Sequence, residues 1–69
     1  MNRIDEIAYD TGAKGYVLRS RPFNALTEPQ VEKVLGRDAV ATLRTGRRAQ
    51  IRLEQTPNGV AGEILAWLD

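Results

Sequence analysis

The sequence predicts a small α+β fold: an antiparallel sheet in ββααββ or βααββ order, one or two short helices packed on one face, and a C-terminal β-hairpin. Three observations support this prediction. The middle of the chain carries helix start and stop signals, residues 47–68 alternate around a turn, and a glycine-rich segment separates two short runs near the N-terminus. The chain has 69 residues, so we expect a single domain over residues 1–69.

The first third of the chain contains two short runs on either side of a glycine-rich segment, residues 11–15. In the second run Tyr16 and Leu18 occupy alternate positions, which is typical of a strand, and Pro22 would end that strand. Residues 3–9 fit either a helix or a strand. We favour a strand, because the glycine-rich segment resembles a hairpin loop.

The strongest local signal is a helix in the middle of the chain. Thr27 is a suitable N-cap, and Gln30, three residues later, completes a capping box. Val31 and Leu35 belong to an apolar stripe at helical spacing. Gly36 can adopt the left-handed conformation that ends a helix.

A second, shorter helix is predicted immediately afterwards. Asp38 is a candidate N-cap, and Gly46 would end the helix. Val40 and Leu43 would face inward. Because two helical turns are weak in isolation, this helix needs to pack on the first helix or on the sheet.

The two helices and the Thr-Gly-Arg-Arg segment that follows resemble the second half of Cro-type phage repressors, a helix-turn-helix family, over roughly a third of the chain. This resemblance implies DNA binding. The sequence departs from the motif at Glu32, where the helices usually cross over a small residue, and at Thr42 and Thr45, where apolar residues are typical. The interval from Gly36 to Gly46 is also about one turn shorter than a recognition helix needs.

The last third of the chain predicts a β-hairpin. Residues 48–54 alternate, and the Pro-Asn-Gly sequence at 57–59 supplies a turn. Pairing Thr56 with Val60 would set the register. The predicted core-face pairs are Leu53 with Glu63, Ile51 with Leu65, and Ala49 with Trp67. The predicted outer-face pairs are Arg52 with Ile64, Gln50 with Ala66, and Arg48 with Leu68.

The composition excludes several kinds of chemistry. The chain has no Cys and no His, which removes thiol chemistry, imidazole catalysis and the usual zinc sites. We therefore expect no enzymatic activity, no cofactor and no bound metal. The sequence also shows no apolar segment long enough to cross a bilayer and no export signal, so the expected location is the cytoplasm, without membrane association.

Arginine is concentrated in the second half of the chain. The net charge of the whole chain is +1, but residues 36–52 hold five arginines and one aspartate, a local net charge of +4. Arginine pairs bidentately with phosphates and carboxylates. If the junction between the second helix and the hairpin is compact, Arg44, Arg47, Arg48 and Arg52 share one side, where Arg19 and Arg21 could join them through the sheet to bind a partner. The alternative, of about equal weight, is a solvated strand face on which arginine stems cover Ile64 and Leu68. The candidate binding residues are Arg19, Arg21, Arg44, Arg47, Arg48 and Arg52.

Two functions fit this pattern. The first is a small binding protein, of the kind encoded by phages or plasmids, that modulates or inhibits a protein partner through an arginine-rich, partly apolar sheet face. The alternative is a DNA- or RNA-binding transcriptional regulator that uses residues 37–52. The expected partner is thus an acidic protein surface or a nucleic acid. We favour a protein because overall charge is close to neutral and the acidic end segments would repel phosphates.

The apolar run at residues 64–68 presents side chains to both faces of a strand. The apolar side chains on the second face would need a cover, which is compatible with a homodimer. Three N-terminal acids, Asp5, Glu6 and Asp10, are expected to be exposed, because no apolar pocket is predicted near them. Glu63 is expected on the core face, within reach of an arginine at the rim.

Overall fold

The computed structural model of the chain describes residues 2–68 and, within them, the side chains of all but residues 2, 22 and 23. This part of the chain forms five strands and two helices in the order βββααββ. The strands are β1 Asn2–Asp10, β2 Gly15–Leu18, β3 Arg21–Leu26, β4 Ala49–Thr56 and β5 Gly59–Trp67. The helices are α1 Glu28–Leu35 and α2 Arg37–Leu43. The strands form one antiparallel sheet in the order β3-β2-β1-β4-β5, which confirms the predicted α+β class.

The N-terminal hairpin that we favoured is present. β1 pairs with β2, and Tyr9 lies opposite Tyr16. One strand was not predicted: Pro22 does not end the run but lies inside β3, which pairs with β2 through Leu18 and Arg21. Both predicted orders therefore lack this third N-terminal strand. β3 is an edge strand, and an edge strand tolerates proline because one side of it needs no ladder hydrogen bonds.

The first strand occupies the centre of the sheet. Ile7 lies opposite Leu18 on β2 and opposite Ala49 on β4. This position buries Ile7 almost completely, to 2% exposure. The N-terminal hairpin and the C-terminal hairpin are thus joined through β1, a pairing between residues more than forty positions apart.

The two helices meet at Gly36. The side-chain Oε1 of Gln30 accepts a hydrogen bond from the backbone N–H of Thr27 at 2.9 Å, as expected for a capping box. Gly36 has φ +99° and ends α1. It also serves as the N-cap of α2, so the prediction that Asp38 caps this helix was wrong. α2 starts two residues earlier than predicted, at Arg37, because the glycine backbone turns the chain directly into it.

The C-terminal hairpin is confirmed, but its register differs from the prediction. A two-residue turn pairs Thr56 with Gly59, instead of with Val60. Ile51 therefore lies opposite Ile64. A β-bulge at the next residue of β5 then restores the predicted pairing of Ala49 with Trp67. The remaining observed pairs include Leu53 with Gly62, Arg52 with Glu63, and Gln50 with Ala66.

The helices cover one face of the sheet. The core joins inward side chains of the central strands to residues of both helices. Its buried apolar residues are Ile7, Tyr16, Leu18, Val31, Ala39, Val40, Leu43, Ala49 and Ile51. The predicted inward orientation of Val40, Leu43, Ala49 and Ile51 is therefore confirmed.

α1 crosses the sheet diagonally. Near its start, Oε1 of Glu28 accepts a hydrogen bond from the hydroxyl of Tyr16 on β2 at 2.9 Å. Near its end, the helix lies over Gly62 on β5, where an added Cβ would approach Cγ1 of Val34 to 2.7 Å and Cδ2 of Leu35 to 3.2 Å. The absence of a side chain at Gly62 allows this close approach.

Candidate functional site

The sheet divides the six candidate arginines between its two sides. Ala49 and Ile51 face the helices, so strand alternation directs Arg48 and Arg52 to the opposite side. Arg19 reaches the same side, where it contacts Glu6. We call this uncovered side the open face. It is defined by Ile4, Glu6, Ala8, Val17, Arg19, Arg48, Gln50, Arg52, Glu54, Glu63, Leu65, Ala66 and Leu68. Arg44, Arg47, Arg48 and Arg52 therefore do not share one side of the sheet.

Glu6 lies between two arginines of the open face. Nη1 of Arg19 donates to Oε2 of Glu6 at 2.5 Å, and Nη1 of Arg48 lies 3.9 Å from Oε1. The Glu6 side chain is only 22% exposed, whereas that of Arg19 is 80% exposed. Exposed ion pairs of this kind contribute little to stability. In this part of the open face, the carboxylate of Glu6 already partly neutralises the positive charges of Arg19 and Arg48.

Arg52 and Glu63 form the second ion pair of the open face. They lie directly opposite each other on β4 and β5, and Nη2 of Arg52 contacts Oε1 of Glu63. Glu63 was predicted on the core face; the two-residue turn moves it to the open face by one register position. The predicted partner type, an arginine, is nevertheless present.

Three large apolar side chains accompany these ion pairs. Ile4, Leu65 and Leu68 are 55%, 43% and 38% exposed. Leu65 was predicted to lie in the core opposite Ile51. The bulge instead sets Leu65 and Ala66 together against Gln50, an outward-facing residue, so both side chains belong to the open face.

Arg44 belongs to the helix-covered side. Its Nη1 lies 3.1 Å from Oε1 of Glu28, and its guanidinium stacks over the ring of Tyr9 at 5.5 Å from the centroid. Glu28 also accepts the hydrogen bond from Tyr16. Burial, followed by the hydrogen bond to Glu28, raises the pKa of Tyr16 to about 12. Arg44 therefore helps to hold α1 against the sheet, through Glu28 on the helix and Tyr9 on β1.

Arg47 and Arg21 also lie on the helix-covered side. The guanidinium of Arg47 lies 5.4 Å from the centroid of the Trp67 ring, which packs against the core. Arg21 pairs with Leu18 and lines a groove beside α1. Arg21, Arg44 and Arg47 are thus separated from Arg19, Arg48 and Arg52 by the sheet itself.

The acidic N-terminal cluster is split in the same way. Asp5 was expected to be exposed, but it points towards the helices and is 7% exposed. Burial alone would raise the pKa of Asp5. Hydrogen bonds from the Ser20 hydroxyl and from the backbone N–H groups of Glu6 and Ser20, together with the charge of Arg3, lower it overall. Asp5 therefore anchors the turn between β2 and β3.

Some of these positions could have been found from the sequence. Once residues 3–9 are taken as a strand, Asp5 shares a face with Ile7, and Ile4 and Glu6 share the opposite one. The helix alternative obscured this pattern. Leu65 carries no comparable signal, because its orientation depends on a bulge.

Two kinds of site are not found in the described part of the chain. Residues 2–68 contain no cluster of three or more Asp and Glu side chains arranged to hold a metal ion. Neither α1 nor α2 has the length and apolar character needed to cross a membrane.

Comparison with known proteins gave no relatives: the sequence matched no protein family and no curated protein, and no solved structure matched the fold.

Proposed function

We propose that this chain is a non-enzymatic binding protein that modulates or inhibits a protein partner through the open face. The observation that carries the proposal is the combination of exposed Ile4, Leu65 and Leu68 with arginines already contacted by glutamates. Partly apolar surfaces with arginine are typical of protein interfaces. The partner's matching surface would be apolar at its centre, with acidic groups that reach the arginines at the rim.

The charge balance of the open face favours a protein over nucleic acid. Arg19, Arg48 and Arg52 carry three positive charges, and Glu6, Glu54 and Glu63 carry three negative charges. Nucleic-acid affinity comes largely from unopposed cations that release counterions from phosphates. On the open face, each phosphate contact would compete with a neighbouring carboxylate. A DNA- or RNA-binding regulator that uses residues 37–52 remains the second candidate, supported by the local net charge of +4.

Two matched substitutions test the proposal. Ile4→Glu places a charge on the open face at a side chain that is 55% exposed, and Val60→Glu does the same at one that is 51% exposed on the other side of the sheet. Both positions are exposed, so we expect both variants to remain folded. The wild type and each variant are immobilised, and proteins retained from a nuclease-treated extract are identified by mass spectrometry.

We expect one partner to be retained by the wild type and by Val60→Glu, and its retention to fall at least tenfold with Ile4→Glu. Equal retention by Ile4→Glu would contradict the proposed surface. In parallel, a mobility-shift assay with random duplex DNA across a salt series should show no binding. A complex that weakens steeply with salt would support the nucleic-acid candidate instead.

A further inference from the structure

A groove lies between α1 and the sheet, on the side opposite the open face. Its volume is about 420 Å³. The apolar lining residues that keep some exposure are Leu26, Val34, Leu35, Leu53 and Val60, and the buried core residues Ile7, Leu18, Val31 and Ile51 lie beneath them. All five strands contribute to it. The lining is therefore mostly aliphatic, as is typical of small-molecule sites.

The groove exists because the two helices cover only part of the sheet. α1 packs on β2 and β5, and α2 packs on α1. α2 leads to Arg44, which stacks on Tyr9 near the end of β1. The groove lies towards the opposite end of β1, where Arg3, the second residue of the strand, contacts Ser20 in the β2–β3 turn. No residue of α2 lines it among the side chains that the structure describes.

Two arginines lie on the half of the groove between β3 and β1. Arg3 and Arg21 both line it, and Arg3 contacts Ser20, the residue that precedes Arg21. The contacts of Arg3 to Ser20 and to Asp5 both use Nη2, one of several donor groups on the guanidinium. Among the described residues, Glu54 is the one carboxylate that lines the groove. Strand alternation directs its side chain away from the groove, towards the open face.

The dimensions of the groove favour a single chain over a helix. The groove reaches from β3 to β5, four strand spacings or about 19 Å. A helix with side chains is about 10 Å wide, so a helix of that length would need several times the available volume. The observed volume lies in the range of small-ligand sites, roughly 300–1,000 Å³.

We propose that this groove binds a free alkyl carboxylate, with its chain along the partly exposed aliphatic side chains beside α1 and its carboxylate against Arg3 and Arg21. The chain matches the apolar lining, and the carboxylate matches the two guanidinium groups at the β2–β3 end. The site lies on the opposite side of the sheet from the open face, so the ligand and the protein partner are independent proposals.

The test is a titration of the full chain with octanoate, decanoate and dodecanoate below their micelle-forming concentrations, followed by backbone amide NMR. We expect shifts at Leu18, Val31 and Leu53, and a Kd that falls about tenfold for every two methylene groups until the groove is filled. Decanol should bind more weakly than decanoate. Arg21→Gln should weaken decanoate binding about tenfold and leave decanol binding unchanged.

Val60→Glu places a carboxylate at the groove and should also weaken decanoate binding, whereas Ile4→Glu should not. For the protein partner the expected effects are the opposite, because Ile4→Glu should weaken its binding and Val60→Glu should not. Equal binding of decanoate and decyltrimethylammonium would overturn the arginine assignment. Chain-length independence, shifts confined to the open face, or binding only of an apolar helical peptide would overturn the site.

Discussion

At the scale of a single side chain, Asp5 and Tyr16 on the helix-covered side show two ways to offset the cost of burying an ionisable group. Asp5 remains charged because Ser20 and backbone N–H groups satisfy its carboxylate, and its pKa is lowered despite burial. Tyr16 remains neutral because burial and the neighbouring Glu28 both disfavour its anion. Both side chains hold turns or helices onto the sheet, so their polar atoms contribute to the fold.

The raised pKa of Tyr16 predicts a loss of stability at high pH. The folded chain keeps the proton up to a pKa of about 12, whereas the unfolded chain releases it near 10.0. The unfolded state therefore binds fewer protons above pH 10, and the free energy of unfolding falls as pH rises through this interval. Urea titrations should show a decrease about 2 kcal/mol larger for the wild type than for Tyr16→Phe. Parallel decreases in both proteins would contradict this origin.

At the scale of the element, the contact between α1 and β5 depends on one missing side chain. Gly62→Ala would bring a Cβ to 2.7 Å from Cγ1 of Val34 and 3.1 Å from Cδ2 of Leu53. We expect the substitution to lower the free energy of unfolding by about 1–3 kcal/mol through overpacking. Adding Val34→Ala should relieve the clash, so the double variant should lose less than the sum of the single variants in urea unfolding. Simple additivity would show that α1 does not press on this glycine.

The bulge in β5 gives a second test at this scale, by deletion of single residues. Deleting Leu65 leaves every observed pair intact, because the bulge residue has no partner of its own. We expect a change in the free energy of unfolding below about 1 kcal/mol. Deleting Ala61 shifts the strand into the register in which Glu63 faces Leu53 beneath α1. That change should cost more than about 2 kcal/mol, because it buries a carboxylate. Equal costs would argue against the bulge.

At the scale of the whole molecule, the sheet separates a helix-covered side from the open face. One side carries two helices, the core and the groove, and the other side is left uncovered. A chain of this length has a small core, and its stability margin is correspondingly small. Arginines spread over the sequence lie on one side of the sheet or the other according to the strand, turn or helix end that carries them. The proposed protein partner and the proposed alkyl carboxylate therefore use different faces of the same five strands.

Local features of the fold were readable in the sequence. Thr27, Gln30 and Gly36 mark the ends of α1 through hydrogen bonds within a few residues, and the alternation of residues 48–54 marks β4. The extent of β3 was not readable, because Pro22 is tolerated only at a sheet edge and edges are not visible in a sequence. The six candidate arginines are exposed, but the sheet separates them into two groups, which a linear sequence does not show.

The sequence by itself determined the two helices and the C-terminal hairpin, because caps, turns and side-chain periodicity act over short distances. Tertiary structure alone decided that β1 lies at the centre, that Asp5 is buried, and that Leu65 joins Ile4 on the open face. Each of these outcomes depends on pairing between distant strands and on a one-residue bulge. In a strand, a shift of a single residue exchanges the two faces.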